Sequence, residues 1–384
     1  MRPDYFVLRY GEIGIKGKNQ PQFQKLLMHN IGIAVRGQEY DSIKLAFSKI
    51  ILKLNDKSKI KDIEESLKHV FGVENLSQAL SCSSNYSEIE KTAVDMASSE
   101  KSKTFRITST RSWKGFPLDS MQLNKRLGAA VARLGKKVCL DKPGLNIEVN
   151  VLKERTFIFT KKMSGPGGLP VGCADRAISL LSGGIDSPVS SWLMMKRGCP
   201  LVLVHFYNEN LGSPEKIKEI AKAVCRYQPT TRLYMVPFAD CQKEIISKAP
   251  ADYRMILYRR FMLRIANAIA LKEKVNQIIT GDSLGQVASQ TFENMDVISK
   301  ASDIPIYRPL ISFDKKEIVS MAEKIGTYSL SIKPYPDCCS FMVPKHPVTK
   351  ARIGMVESAE HKVDMNELID NAIKKMEILN IPLE

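Results

Sequence analysis

The chain has 384 residues, 44% of them apolar, and 57 Lys and Arg against 41 Asp and Glu give it a formal net charge of +16. That length can bury two or three ordinary cores, and with no apolar run of roughly 18 residues a membrane-spanning helix is not expected. The first residues hold neither a long apolar stretch nor a small-residue cleavage site, so a secretory leader is not expected and a cytoplasmic location is expected.

In chain order, residues 5–10 alternate as a short strand, and 22–33 and 59–71 have the spacing of amphipathic helices. Residues 105–109 and 147–152 read as strands with a helix over 119–134 between them, and Ile158 falls in a further strand. At Ser164-Gly165-Pro166-Gly167-Gly168-Leu169-Pro170 the density of Gly and Pro breaks any regular element and marks a junction. Beyond it strands and helices alternate: strands at 177–181, 201–206, 232–236 and 277–280, helices at 188–197, 215–227, 241–248 and 255–272. A last helix is expected over 365–378. Apolar strands alternating with helices imply a parallel sheet covered on both faces, with ligands at the carboxyl ends of its strands.

The positive charge is uneven. Between Lys101 and Lys162 stand fifteen basic residues and four acidic ones, which is +11 of the total of +16. A solubility device would be spread more evenly, so this stretch is read as a localised phosphate-binding surface. Its candidates are Lys103, Arg106, Arg111, Lys114, Lys125, Arg126, Arg133, Lys136 and Lys137. The eight cysteines contain no CxxC pair and do not make a disulfide framework, and Cys199 and Cys225 lie among apolar residues, as core residues do.

The strongest signal is Leu180-Leu181-Ser182-Gly183-Gly184-Ile185-Asp186-Ser187-Pro188, between the first strand of the second half and its helix. Two glycines allow close backbone approach, two hydroxyls add donors, and the start of a helix offers free N–H groups and a positive dipole end. Pro188 suits a first helical turn. A Gly-Gly pair alone would be an ordinary turn, but SGGxDS is more specific. It lacks the Gly-Lys-Ser/Thr ending of a Walker A loop.

This loop resembles the pyrophosphatase loop of enzymes that split ATP between its α and β phosphates to adenylate a substrate. The wider chain resembles the tRNA 4-thiouridine synthetase (ThiI) family, the form without a rhodanese domain. The resemblance rests on Arg9-Tyr10-Gly11-Glu12-Ile13, Lys16-Gly17-Lys18-Asn19, residues 165–172, Gly281-Asp282-Ser283-Leu284-Gly285-Gln286-Val287-Ala288-Ser289-Gln290, Arg308-Pro309-Leu310, Asp314-Lys315, Ile325-Gly326-Thr327 and Pro334-Tyr335-Pro336-Asp337-Cys338-Cys339. It implies an N-terminal ferredoxin-like α+β domain (1–56), an α/β THUMP domain that binds tRNA (57–163) and a catalytic α/β domain with a pyrophosphatase loop (164–384).

By the same resemblance, ATP is held by Leu180, Leu181, Ser182, Gly183, Gly184, Asp186, Ser187, His205, Phe206, Arg259, Gly281 and Gln290. The neighbouring Arg260 leaves the arginine register open by one, and His205 is expected to act through its main chain. Asp186 and Lys315 are implied in adenylation, Asp186 as a ligand of Mg²⁺ or an orienting group and Lys315 at the departing pyrophosphate. Cys338 and Cys339 are the implied sulfur-handling pair, with Lys333, Lys345 and His346 near enough in sequence to favour a thiolate and Asp337 opposing them. The implied reaction has two steps. The C4 oxygen of a uridine, expected at position 8, attacks the α-phosphate and pyrophosphate leaves; a sulfur nucleophile then displaces AMP. Sulfur is expected from a separate donor, a cysteine desulfurase or persulfide carrier. An iron–sulfur cluster using Cys225 or Cys241 is disfavoured by the spacing, no metal-ligand set is identified, and a homodimer and a role in thiamin thiazole synthesis are left open. Two rival readings stand: an amidating ATP pyrophosphatase, which would need neither the cysteine pair nor the basic segment, and a tRNA-binding protein without thiolation activity.

Overall fold

The computed structural model describes residues 2–211, 214–336, 338 and 346–382. Contacts divide the chain into two compact units, residues 1–170 and 171–384.

The first unit carries strands β1 (Tyr5–Arg9), β2 (Ser42–Ala46), β3 (Lys49–Lys53), β4 (Asn75–Ser83), β5 (Thr104–Arg111), β6 (Lys137–Val138), β7 (Leu145–Val151), β8 (Arg155–Phe159) and β9 (Met163–Ser164). They run in the order β2-β3-β1-β4-β8-β7-β5-β6, with β9 also on β4. Its helices are α1 (Gln20–Ala34), α2 (Ile60–Leu67), α3 (Tyr86–Ser99) and α4 (Ser120–Ala132). Strand β1 is buried on both faces: Phe6 and Leu8 join a core with Leu27 and Ile31 of α1 and Ile63 and Leu67 of α2, while Tyr5 and Val7 join Phe157 and Phe159. The period-two alternation of the strand sorts these residues between two cores. A third core packs α3 and α4 against β5 and β7 through Ile89, Leu123, Leu127, Phe105 and Ile147. Helix α3 is capped by the Asn85 side chain, and α4 opens with a reciprocal cap between Asp119 and Gln122.

Strand β4 serves two partners in succession. Asn75 to Ala79 pair with β1, and Leu80 to Ser83 pair with β8. Near this strand Arg9 lies 4.8 Å over the Phe159 ring and donates to Asn75 Oδ1 at 3.0 Å. Burial, with Arg9 close by, pushes the half-buried Lys49 ammonium down to about 8.

The second unit is a six-stranded sheet in the order β14-β13-β10-β11-β12-β15. Strands β10 (Ala177–Leu180), β11 (Leu201–Tyr207), β12 (Thr230–Pro237), β13 (Ile278–Ile279) and β14 (Ile306–Tyr307) are parallel, and β15 (Glu377–Pro382) is an antiparallel edge. Helices α5 (Asp186–Lys196), α6 (Glu215–Cys225), α10 (Lys315–Lys324) and α11 (Tyr328–Ser331) pack among themselves. A second group, α7 (Ala239–Lys248), α8 (Arg254–Glu273), α9 (Phe292–Ser299), α12 (Ile353–Glu360) and α13 (Met365–Lys375), shares a core with the sheet residues Ile178, Val204 and Tyr234. From β10 the chain winds outward to β12, then returns to the other side of β10 for β13. The switch point, where ligands sit in open α/β sheets, therefore lies between β10 and β13.

Several expectations change. The helix expected to reach residue 378 ends at Lys375, and Glu377 onward forms β15 instead. The helix expected over 59–71 spans only Ile60–Leu67. The hairpin β2–β3 was not foreseen because its two-residue turn, Phe47-Ser48, has positive φ at both positions without the usual Gly or Asn.

Candidate nucleotide site

The switch point opens into a cavity of about 480 Å³ at the carboxyl ends of β10, β11 and β13. All twelve residues expected around the nucleotide line it except Gly183. The loop between β10 and α5 is braced from within. Ser182 N–H donates to Ser187 Oγ at 2.8 Å, the two serine hydroxyls are 3.0 Å apart, and Gly184 N–H donates to Ser182 Oγ at 3.2 Å. Gly281 passes so close to the start of α5 that a Cβ there would stand 2.8 Å from Ser187 N. Only glycine permits that approach.

Asp186 is the first residue of α5. Its Oδ1 is 2.7 Å from Lys315 Nζ and its Oδ2 accepts from Gln286 Nε2 at 2.9 Å. Lys315 opens α10 behind an Asp314–Glu317 capping box, where the helix dipole would disfavour a lysine that had no carboxylate to meet. Structure thus joins two residues 129 apart in sequence.

Packing distinguishes the two neighbouring arginines. Arg260 is 1% exposed and forms a two-pronged pair with Glu360 at 2.6 and 2.7 Å, so it belongs to the framework. Arg259 lines the cavity, with Nη1 2.6 Å from Asp282 Oδ1. Asp282 also accepts from Thr280 Oγ1 at 2.7 Å, Arg308 Nε at 3.3 Å and Gln290 Nε2 at 3.3 Å. Burial would raise this carboxyl, but Arg259, Thr280 and Arg308 outweigh it and hold it at about 2. Gln290 Oε1 is buried without a hydrogen-bond partner among the described residues, so an acceptor is left for a ligand. Met255, Met262 and Leu263 of α8 and Ile298 of α9 add apolar wall. Asp282, Arg308 and Gln286 had no assigned role in the sequence, although all three lie in segments that carried the family resemblance.

His205 does more than lend its main chain. The buried ring donates from Nδ1 to Leu181 O at 2.7 Å, and its Nε2 is hydrogen-bonded to Tyr335 Oη at 2.9 Å. Cys338 is 1% exposed, lies in the core and outside the cavity lining, and directs its thiol to Phe206 O at 3.4 Å. Cys339, Lys345 and Asp337 lie outside the described residues. Lys333, expected beside the thiols, is paired with Glu219 at 2.7 Å. Burial pushes the Cys225 and Cys241 thiols up to about 12, which opposes the thiolate form a cluster ligand needs. Among the described residues no three His, Cys, Asp or Glu side chains are grouped to hold a metal ion.

On the basic segment Lys103, Lys114, Lys125, Arg126, Arg133 and Lys137 are exposed. Three others are tied inward: Arg106 donates to Leu140 O, Arg111 to Phe116 O, and Lys136 to Glu100 O and Ser102 O.

The family model described as thiamine biosynthesis protein (ThiI) matches residues 172–365, the ThiI ferredoxin-like domain matches 5–77, and the THUMP domain matches 83–161. A probable tRNA sulfurtransferase of Caldanaerobacter subterraneus subsp. tengcongensis is 40% identical over 372 residues, 96% of this chain and 97% of that one. A probable tRNA sulfurtransferase of Thermus thermophilus is 39% identical over 377 residues, 97% of this chain and 93% of that one. The crystal structure of a 4-thiouridine synthetase–RNA complex with bound ATP superposes with a TM-score of 0.90 at 33% identity, covering 99% of this chain and 100% of that one. With three family models in order along the chain and likeness across nearly its whole length, the chain belongs to the ThiI family.

Proposed function

We infer that the protein is an ATP-dependent tRNA sulfurtransferase that adenylates the C4 oxygen of a uridine and replaces it with sulfur. The observation that carries this reading is the braced Ser182–Ser187 loop, with its Asp186–Lys315 pair, beside a cavity of nucleotide size in a chain of the ThiI family. The loop N–H groups and the α5 terminus receive phosphate oxygens, and the apolar wall from α8 receives the base. Arg259, held by Asp282, presents a fixed guanidinium to the nucleotide. Lys315 neutralises charge as pyrophosphate departs.

Asp186 accepts one hydrogen bond on each oxygen and so keeps a lone pair on each, which fits one ligand position of a Mg²⁺ ion carried mainly by the phosphates. Such an ion would supply further charge neutralisation on the phosphates.

In the first step the uridine C4 oxygen bonds to the α-phosphorus and pyrophosphate takes the electron pair of the broken P–O bond. In the second, hydrosulfide or a persulfide sulfur adds to C4 and AMP leaves with the former carbonyl oxygen. With hydrosulfide the loss of one proton completes the C4=S bond. With a persulfide a second thiol must take the inner sulfur as a disulfide, and an external thiol must reduce that. Cys338 and Cys339 are the candidates for this handling, and a cysteine desulfurase or persulfide carrier is the candidate donor. The exposed basic residues between Lys103 and Lys137 are the candidate tRNA contacts.

The test is incubation of the purified protein with unmodified tRNA, Mg-ATP and sulfide, reading thiolated uridine by absorbance and mass. Thiouridine at position 8 is expected, and its loss in Asp186→Ala. Binding of tRNA with neither pyrophosphate nor thiouridine formed would favour the nonenzymatic reading.

A further inference from the structure

Among the described residues, the segment that bears the cysteines meets the phosphate loop through the Tyr335 side chain. Lys333 and Tyr335 each precede a proline, which favours extended backbone at both positions. The Tyr335 ring lies directly on Gly183: a Cβ on that glycine would stand 2.7 Å from Tyr335 Cδ1. The Tyr335 hydroxyl reaches His205 Nε2, and the same imidazole holds Leu181 O, the last carbonyl before Ser182. Lys216 Nζ sits over the ring, 5.7 Å from its centroid, while donating to Ser331 O and Lys333 O. Three residues further on, Cys338 is pinned to the next residue of β11 through its thiol to Phe206 O, and Gln242 Nε2 donates to Cys338 O at 2.8 Å.

Resting on the thiolation reading above, we propose that Tyr335 is a positioning residue that couples the two half-reactions, by registering the cysteine segment against the loop that holds the adenylating phosphates. The adenylated uridine has two fates. Attack by sulfur gives thiouridine and AMP; attack by water returns uridine and AMP. Both release the same pyrophosphate beforehand, so the position of the sulfur-bearing segment decides the yield of thiouridine per pyrophosphate and not the rate of adenylation. Tyr335 does not touch the reacting atoms. It acts through His205 and Gly183.

Tyr335→Phe keeps the ring on Gly183 and removes the bond to His205. With the full chain, tRNA, Mg-ATP and sulfur donor, pyrophosphate release and the KM for ATP are expected to stay within about twofold of the parent. Thiouridine per pyrophosphate is expected to fall about fivefold, the scale of one lost hydrogen bond. Tyr335→Ala, which also uncovers Gly183, is expected to raise the KM for ATP as well. A purely structural role would lower both half-reactions together and leave their ratio fixed, and that result, or an unchanged ratio in Tyr335→Phe, overturns the proposal. A parent enzyme that releases no pyrophosphate with tRNA overturns the functional reading itself, and the coupling role with it.

Discussion

The nucleotide cavity and the basic face of the THUMP region both suit a phosphate-bearing ligand, yet they are made in different ways. In the cavity, Asp282 is fixed by four donors, Asp186 by two, and the serine hydroxyls by each other, so the charged groups are held in place before any ligand arrives. On the basic face, Lys103, Lys114, Lys125, Arg133 and Lys137 stand exposed, where water and salt screen them. The first arrangement can discriminate one geometry from another. The second supplies attraction to any phosphate backbone and leaves geometry to be set elsewhere. Substitutions should therefore behave differently in the two places.

The largest effect is expected at Asp186. Asp186→Asn keeps the shape but removes the charge that meets Lys315, and turnover should fall about a hundredfold or more, with tRNA binding unchanged. Comparable loss of tRNA binding would break the comparison. Asp282→Asn comes next. It leaves Arg259 and Arg308 without their shared carboxylate, which should cost about 3 kcal/mol in denaturant unfolding and raise the KM for ATP. Because the folded Asp282 carboxyl is depressed to about 2 from 3.8, its contribution is complete above about pH 4 and is lost as pH falls towards 2. Acid unfolding of the Asn variant should show less pH dependence in that window.

On the basic face, replacing Lys125 and Arg133 with Ala should raise the KM for tRNA several-fold and leave kcat alone. The salt dependence of binding should become shallower by roughly 0.7–0.9 per contact removed. An effect independent of salt would mean that these side chains recognise shape after all. The smallest effect is expected at Lys49. Its folded pKa of about 8 lies below the ordinary 10.5, so the charged form is disfavoured in the folded chain. Stability should rise as pH climbs from about 8 through 10.5, and Lys49→Met should raise the Tm at pH 7 by an amount that shrinks over that range.

What could be read from sequence follows from the kind of information each element holds. The loop at Ser182–Ser187 was legible because its chemistry is local: glycines, hydroxyls and a helix start must be adjacent. The strand–helix alternation after residue 171 was legible for the same reason. Asp282 and Arg308 were not, since a buried aspartate means little until the arginines that meet it are known, and those come from α8 and from the residue after β14. Arg259 and Arg260 are indistinguishable as neighbours in a string, and it is Glu360 on α12 and Asp282 in the cavity that separate them. The first two residues of β15 were read as helix because Lys374-Lys375-Met376-Glu377 continues a helical composition without a break, while the strand's pairing with β12 is a property of the sheet edge.

Strand β4 has one more consequence. It pairs with β1 over its first half and with β8 over its second, and its residues alternate between faces throughout. A single residue inserted between Ala79 and Leu80 would put one pairing out of register with the other and turn side chains from one core towards another. The region matched by the ferredoxin-like model and the region matched by the THUMP model are thus stitched by a common thread. Contacts accordingly gather both regions into one compact unit, residues 1–170, whose two parts share a strand rather than a linker.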